Sequence, residues 1–219
     1  MKLSKYLSEA VRTKSEFICE EYGSVSGMHV DAFHGVFGML TEAVEILNPL
    51  KAAMYYRRPV DYINLAEELG DACWFFAIMC SNDDMLKSEW SIERVGYSVR
   101  PIPDGPPVLS EVFKAAISLV RVVAPACEAF EAQMFLRDEE QFFVEYRNHK
   151  SLLYSVPSIL EHLAQTLRVP MERILESNIA KLRKRYPTQF SEESANFRRL
   201  SEEREALLDG WAGKSISEE

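Results

Sequence analysis

Two short acidic motifs stand out in this chain: Glu42-x-x-Glu45 and, after 22 intervening residues, Glu68-x-x-Asp71. An i, i+3 spacing puts both carboxylates of a pair on one helix face, one turn apart. Oxygen ligands from two neighbouring helices are what a hard divalent cation such as Mg2+ requires, because it prefers octahedral oxygen coordination. Helix bundles build metal sites from inward-facing carboxylates in this manner. The same spacing has a plainer alternative, since acidic pairs also cover solvated helix faces. Glu42 and Glu45 lie opposite Phe33, Phe37, Leu40, Val44 and Leu47 on a helical wheel, which suits exposure. Glu68 and Asp71 fit that alternative less well: they share a face with Phe75 and lead into the apolar run 72–79. Carboxylates at the mouth of a buried segment cost free energy unless they are paired or bound to metal.

Other residues could serve the same site. Gly38 shares the face of Glu42 and Glu45. A glycine inside a helix costs roughly 1 kcal/mol against alanine, so it points to close approach of another helix or a ligand. His34 lies on that face too and reads as a structural hydrogen-bonder rather than a ligand. Further on, residues 171–187 carry Arg173, Lys181, Arg183, Lys184 and Arg185 against Glu172 and Glu176, a local charge of +3. Asn178, Lys181 and Arg185 fall at i, i+3, i+7, one stripe beside Leu175, Ile179, Leu182 and Tyr186. Such a row suits a phosphate-bearing ligand with a flat hydrogen-bonding group. Basic residues in a last helical turn also complement the helix dipole, which is the plainer explanation.

The elements that must hold these side chains all carry helical periodicity. The pattern predicts a first helix over 3–22, ended by Gly23, and a second from an N-cap at Asp31 toward Asn48-Pro49. Further turns follow over 51–58 before Pro59, then a third helix over 61–80. Residues 96–107 (GYSVRPIPDGPP) read as a loop, and 110–136 as a helix capped by Ser110 and kinked at Pro125. Helices over 155–168 and 171–186 follow, the latter started by Pro170 and stopped by Pro187. A short terminal helix over 201–209 completes the pattern. The expectation is an all-α protein, a helical bundle.

Composition narrows the function. The chain has 219 residues, with 34 Asp+Glu against 25 Lys+Arg and a formal net charge of −9. That length suits a single domain with a real core. The negative charge argues against nucleic acid or an anionic membrane as partner. The N-terminus lacks the apolar core of a secretory signal, and the longest uncharged stretch, 72–82, is too short for a membrane span. Cys19, Cys73, Cys80 and Cys127 show no paired metal spacing and read as buried free thiols. A cytoplasmic protein is the expectation. None of the usual glycine-rich nucleotide loops is present.

Taken together, Glu42-x-x-Glu45 and Glu68-x-x-Asp71, set in HGVFGMLTEAVEILNPLK and NLAEELGDACWFF and followed by ILESNIAKLRKRYPTQFS, resemble the MazG-like all-α nucleoside triphosphate pyrophosphohydrolases. The blocks cover roughly 30–80 and 155–198, in the family's order. The resemblance implies a single MazG-like domain over 1–219 that hydrolyses an NTP or dNTP to the monophosphate and pyrophosphate. It implies Mg2+, or Mn2+, held by Glu42, Glu45, Glu68 and Asp71, with Glu45 as the base for water attack at the α-phosphorus. Lys51, Lys181 and Arg185 would contact phosphates, and Asn178 would help position base, sugar or metal. A homodimer or homotetramer is expected, because a partner subunit usually completes the family's core. Related all-α activities on dUTP, dCTP or phosphoribosyl-ATP share these carboxylates, and a helical regulatory or interaction protein without activity would share the fold. The chain departs from compact members by an insertion at about 81–155, a candidate lid, base-selecting wall or oligomer contact, and by a tail over 201–219.

Overall fold

The computed structural model describes residues 3–15, 27–81, 83, 102–134, 149, 151–196 and 200–211. Every regular element among these described residues is a helix, an all-α arrangement: α1 (Leu3–Arg12), α2 (Gly27–Tyr56), α3 (Tyr62–Cys80), α4 (Leu109–Met134), α5 (Val156–Thr166), α6 (Met171–Arg185), α7 (Glu192–Asn196) and α8 (Leu200–Trp211).

Several boundaries differ from the sequence pattern, each for a local reason. α1 stops at Arg12, and residues 16–22 of the expected longer helix lie outside the described residues. The Thr13 hydroxyl donates to Ala10 C=O at 2.8 Å, and the Trp74 indole N–H donates to the same oxygen at 3.0 Å. Both take up a carbonyl that a further helical turn would need. Lys14 then pairs with Asp31 at 2.7 Å. Asp31 is therefore an ion-pair partner inside α2 and not its N-cap, and α2 begins at Gly27. That helix also continues through Pro49, so the two predicted segments are one element of 30 residues. Pro49 has no N–H for the Glu45 carbonyl. Burial of Ile46 and Leu50 on either side holds the helix across the gap.

α3 is capped as expected: the Asp61 carboxylate accepts from the N–H groups of Ile63 (3.1 Å) and Asn64 (3.0 Å). α4 starts at Leu109, which puts Ser110 inside the first turn instead of at the cap, and it also passes through its proline, Pro125. α5 ends in a Schellman turn, with Arg168 in the left-handed region (φ 62°) and Val169 N–H donating to Ala164 C=O at 3.0 Å. Pro170 then opens α6.

α2 and α3 pack along each other, and α4 lies along α2. α5 packs on α3 and α4, α6 on α3, α1 against α3 and α6, and α8 over α6. Val36, Met39 and Ile46 of α2 meet Leu65, Leu69 and Phe76 of α3 in the core. Each such side chain contributes about 1.5–3 kcal/mol by leaving water. α4 sits in the middle of the expected insertion, yet Val112, Ala116, Leu119 and Val123 are wholly buried in that same core. The helix is thus a structural member of the bundle. Cys73 and Cys80 are buried free thiols and Cys127 is half-buried, while Cys19 lies outside the described residues. None of the described helices is long and apolar enough to cross a membrane.

Candidate metal centre

α2 and α3 come together closely because α2 presents glycines where they cross. A Cβ on Gly35 would lie 2.6 Å from Met79 Cβ and 2.7 Å from the Phe75 carbonyl oxygen. One on Gly38 would lie 2.1 Å from the Phe75 ring. Gly35 opposite Met79, Gly38 opposite Phe75 and Glu42 beside Asp71 show the helices running in opposite directions. This antiparallel register brings the two acidic motifs level with each other. Gly38 therefore marks a tight helix crossing filled by Phe75. His34 packs its ring at steep angles against Trp74 and Phe75, with centroids 5.8 Å and 5.3 Å away.

Glu42, Glu68 and Asp71 form one cluster, each offering an oxygen within 4.8 Å of the others'. They line a cavity of about 470 Å³ together with Glu45 and Glu67. Glu45 is exposed at its rim and is not part of the tight trio. Two of the acids, Glu42 and Glu68, hold their protons more tightly than they would in water. Burial, reinforced by the charges of Asp71, Glu45 and Glu68, pushes Glu42 up to about 9. Burial again, with Asp71, Glu45 and Glu67 nearby, lifts Glu68 to about 7. Asn64 donates to Glu68 Oε1 at 2.9 Å from one turn earlier.

The basic stripe of α6 faces this cluster from below, and most of it is buried. Lys181 is 0% exposed. Its ammonium lies 2.6 Å from Asp71 Oδ1 and 3.2 Å from Glu67 Oε1. Asn178, also buried, donates from Nδ2 to Asp71 Oδ1 at 2.8 Å and accepts from the Tyr6 hydroxyl at 3.0 Å. Lys181, expected to contact phosphate, and Asn178, expected to help position base, sugar or metal, both bond to Asp71 of the cluster. Arg185 does line the cavity, where its guanidinium is paired in a fork with Glu203 of α8 (Nε to Oε1, 3.1 Å). Arg204, the next residue along α8, lines it too and binds Asp61 at 3.0 Å. Lys51 is exposed on α2 beyond Pro49 and is not among the cavity's lining residues.

Sequence reasoning missed Glu67, Tyr6, Glu203 and Arg204. Glu67 had a local signal, since it precedes Asp71 by four residues and so shares its helix face. Tyr6 and α8 had none, because their contacts to the site cross long stretches of chain.

Among the residues lining the cavity, six carboxylates (Glu42, Glu45, Glu67, Glu68, Asp71, Glu203) stand against two guanidiniums (Arg185, Arg204). An acidic concavity with clustered oxygens, two of them costly to ionise, is a donor set that a hard dication would satisfy. Comparison with protein-family models, with curated proteins and with solved structures finds no match to this chain.

Proposed function

We propose that this chain is a Mg2+-dependent nucleoside triphosphate pyrophosphohydrolase of the MazG-like all-α type. The observation that carries the reading is the trio Glu42, Glu68 and Asp71, drawn from two antiparallel helices onto one cavity. These three would hold the metal, with Glu45 completing the set from the rim. When bound, Mg2+ would neutralise phosphate charge and make a bound water a stronger acid.

The chain's own residues divide the remaining work. Glu45, exposed and bordering the cavity, has the access a general base needs to take a proton from water attacking the α-phosphorus. Arg185 and Arg204 are the guanidiniums within reach of a triphosphate in the cavity. Trp74 and Phe75 give it an aromatic wall. Asn178 orients Asp71 from beneath, and Lys181 balances its charge. Phe37 and Val44 on α2 are exposed, as are Met54, Tyr55 and Tyr56 at its C-terminal end, and they give a homodimer an apolar face.

The test is incubation with a panel of NTPs and dNTPs, with and without Mg2+, and identification of the products. Monophosphate plus pyrophosphate, lost without Mg2+ and in Glu68→Gln and Asp71→Asn, is the expected result. No turnover of any nucleotide together with no Mg2+ binding overturns the reading.

A further inference from the structure

We infer that Tyr6 is a positioning residue of the carboxylate cluster, its hydroxyl fixing the amide of Asn178 so that Asn178 holds Asp71 toward Glu42 and Glu68. This inference rests on the metal-centre reading above.

Tyr6 is 0% exposed and is not among the residues lining the cavity, so its hydroxyl has no route to a substrate there. That hydroxyl lies 3.0 Å from Asn178 Oδ1 and 3.4 Å from the Gly70 carbonyl oxygen. A phenol has one proton to give, and both neighbours are acceptors. The shorter contact makes Asn178 Oδ1 the main recipient. With its oxygen so engaged, the amide must turn its NH2 toward Asp71 Oδ1, 2.8 Å away. The flipped amide would set its carbonyl oxygen against the Asp71 carboxylate, two acceptors with no proton between them. Gly70 closes the third side: a Cβ there would stand 3.1 Å from Asn178 Cβ and 3.3 Å from its Nδ2. The amide is therefore held by a donor at one end, an acceptor at the other and the α3 backbone alongside.

Lys181 alone does not fix Asp71 in this way. Its ammonium reaches both oxygens of Asp71, at 2.6 Å and 2.5 Å, and a compact charge tolerates rotation of the carboxylate beneath it. The amide donates to one oxygen only and so sets the direction. The partners that orient a metal ligand typically govern affinity by about ten- to a hundredfold when removed.

The experiment is a titration of the full chain with Mn2+, followed by electron paramagnetic resonance of the free ion, alongside thermal melts. Tyr6→Phe is expected to weaken Mn2+ binding about tenfold. Asn178→Leu should weaken it at least as much, and the double variant should bind no more weakly than Asn178→Leu alone. Para-fluorophenylalanine at position 6, which keeps the volume of tyrosine and cannot donate, should reproduce Tyr6→Phe and serves where Tyr6→Phe does not fold. A lower melting temperature with unchanged Mn2+ affinity would mean a purely structural hydroxyl and overturn the inference. Multiplicative losses in the double variant would overturn it as well, because Tyr6 would then not act through Asn178. A wild-type chain that binds no Mn2+ would instead overturn the metal-centre reading, and this inference with it.

Discussion

Lys181 Nζ sits 2.6 Å from Asp71 Oδ1 with none of the lysine surface in water. The pair joins α6 to α3 across 110 residues of sequence. Burial disfavours the ammonium, yet the charges of Asp71 and Glu67 and the hydrogen bond to Asp71 outweigh it, so the lysine's proton is held more tightly than usual. A cation fixed beneath an acidic cavity balances the acids there and leaves the space above them to the ligand.

Replacing Lys181 by Met should therefore cost stability before it costs substrate affinity. Removing one member of a buried pair costs several kcal/mol, and Asp71 and Glu67 keep part of their hydration, so about 2–3 kcal/mol is expected in urea unfolding. Saturating Mg2+ should restore part of the loss by supplying the missing positive charge. An unchanged unfolding midpoint with a raised KM would instead make Lys181 a direct phosphate contact.

The acidic pairs were legible because i, i+3 spacing is local geometry. So were the all-α class and the tight crossing at Gly38. What failed needed tertiary information. The stripe Asn178, Lys181, Arg185 shares one face, but a helical wheel cannot say that Asn178 and Lys181 meet α3 while Arg185 lines the cavity. The C-cap of α5 was invisible because Arg168, not glycine, occupies the left-handed position. Pro49 reads as a helix end by propensity and Pro125 as a kink, yet burial of flanking residues such as Leu50 and Ala126 keeps both helices continuous. The expected insertion hid a core helix because its apolar stripe, without a partner in view, looks the same in a lid as in a bundle.

Metal and pH should be linked with a definite sign. In the metal-free chain Glu42 titrates at about 9 and Glu68 at about 7, both raised from 4.5. The folded state thus binds more protons than the unfolded one between these limits, and metal-free stability should fall as pH rises from about 5 to 9. Melting curves across that range check it, and saturating Mg2+ should flatten the fall. Binding needs the ionised carboxylates, so at pH 7 it should release about one to two protons. Calorimetry in buffers of different ionisation enthalpy reads that number directly, and zero release would count against Glu42 and Glu68 as ligands.

The two crossing glycines should differ in what they tolerate. Gly35→Ala meets backbone and a Cβ, at 2.7 Å and 2.6 Å, neither of which can rotate away. Helix separation should cost about 2–3 kcal/mol. Gly38→Ala meets the Phe75 ring first, and that ring can turn at the expense of its place in the cavity wall. A smaller loss of stability with a larger change in metal or nucleotide affinity is expected there. Chemical unfolding paired with ligand titration separates the two, and equal stability losses would refute the distinction.

Glu203 occupies Arg185 in the way a phosphate oxygen pair would, while being only 2% exposed itself. A triphosphate entering the cavity must compete with it for the guanidinium. Glu203→Gln keeps the shape, removes the charge and should free Arg185. The expected result is a KM lowered on the order of fivefold, about 1 kcal/mol, with a small drop in melting temperature. Steady-state kinetics on the preferred nucleotide measures it. A raised KM would show the opposite arrangement, in which Glu203 holds Arg185 in its working position and α8 belongs to the binding site.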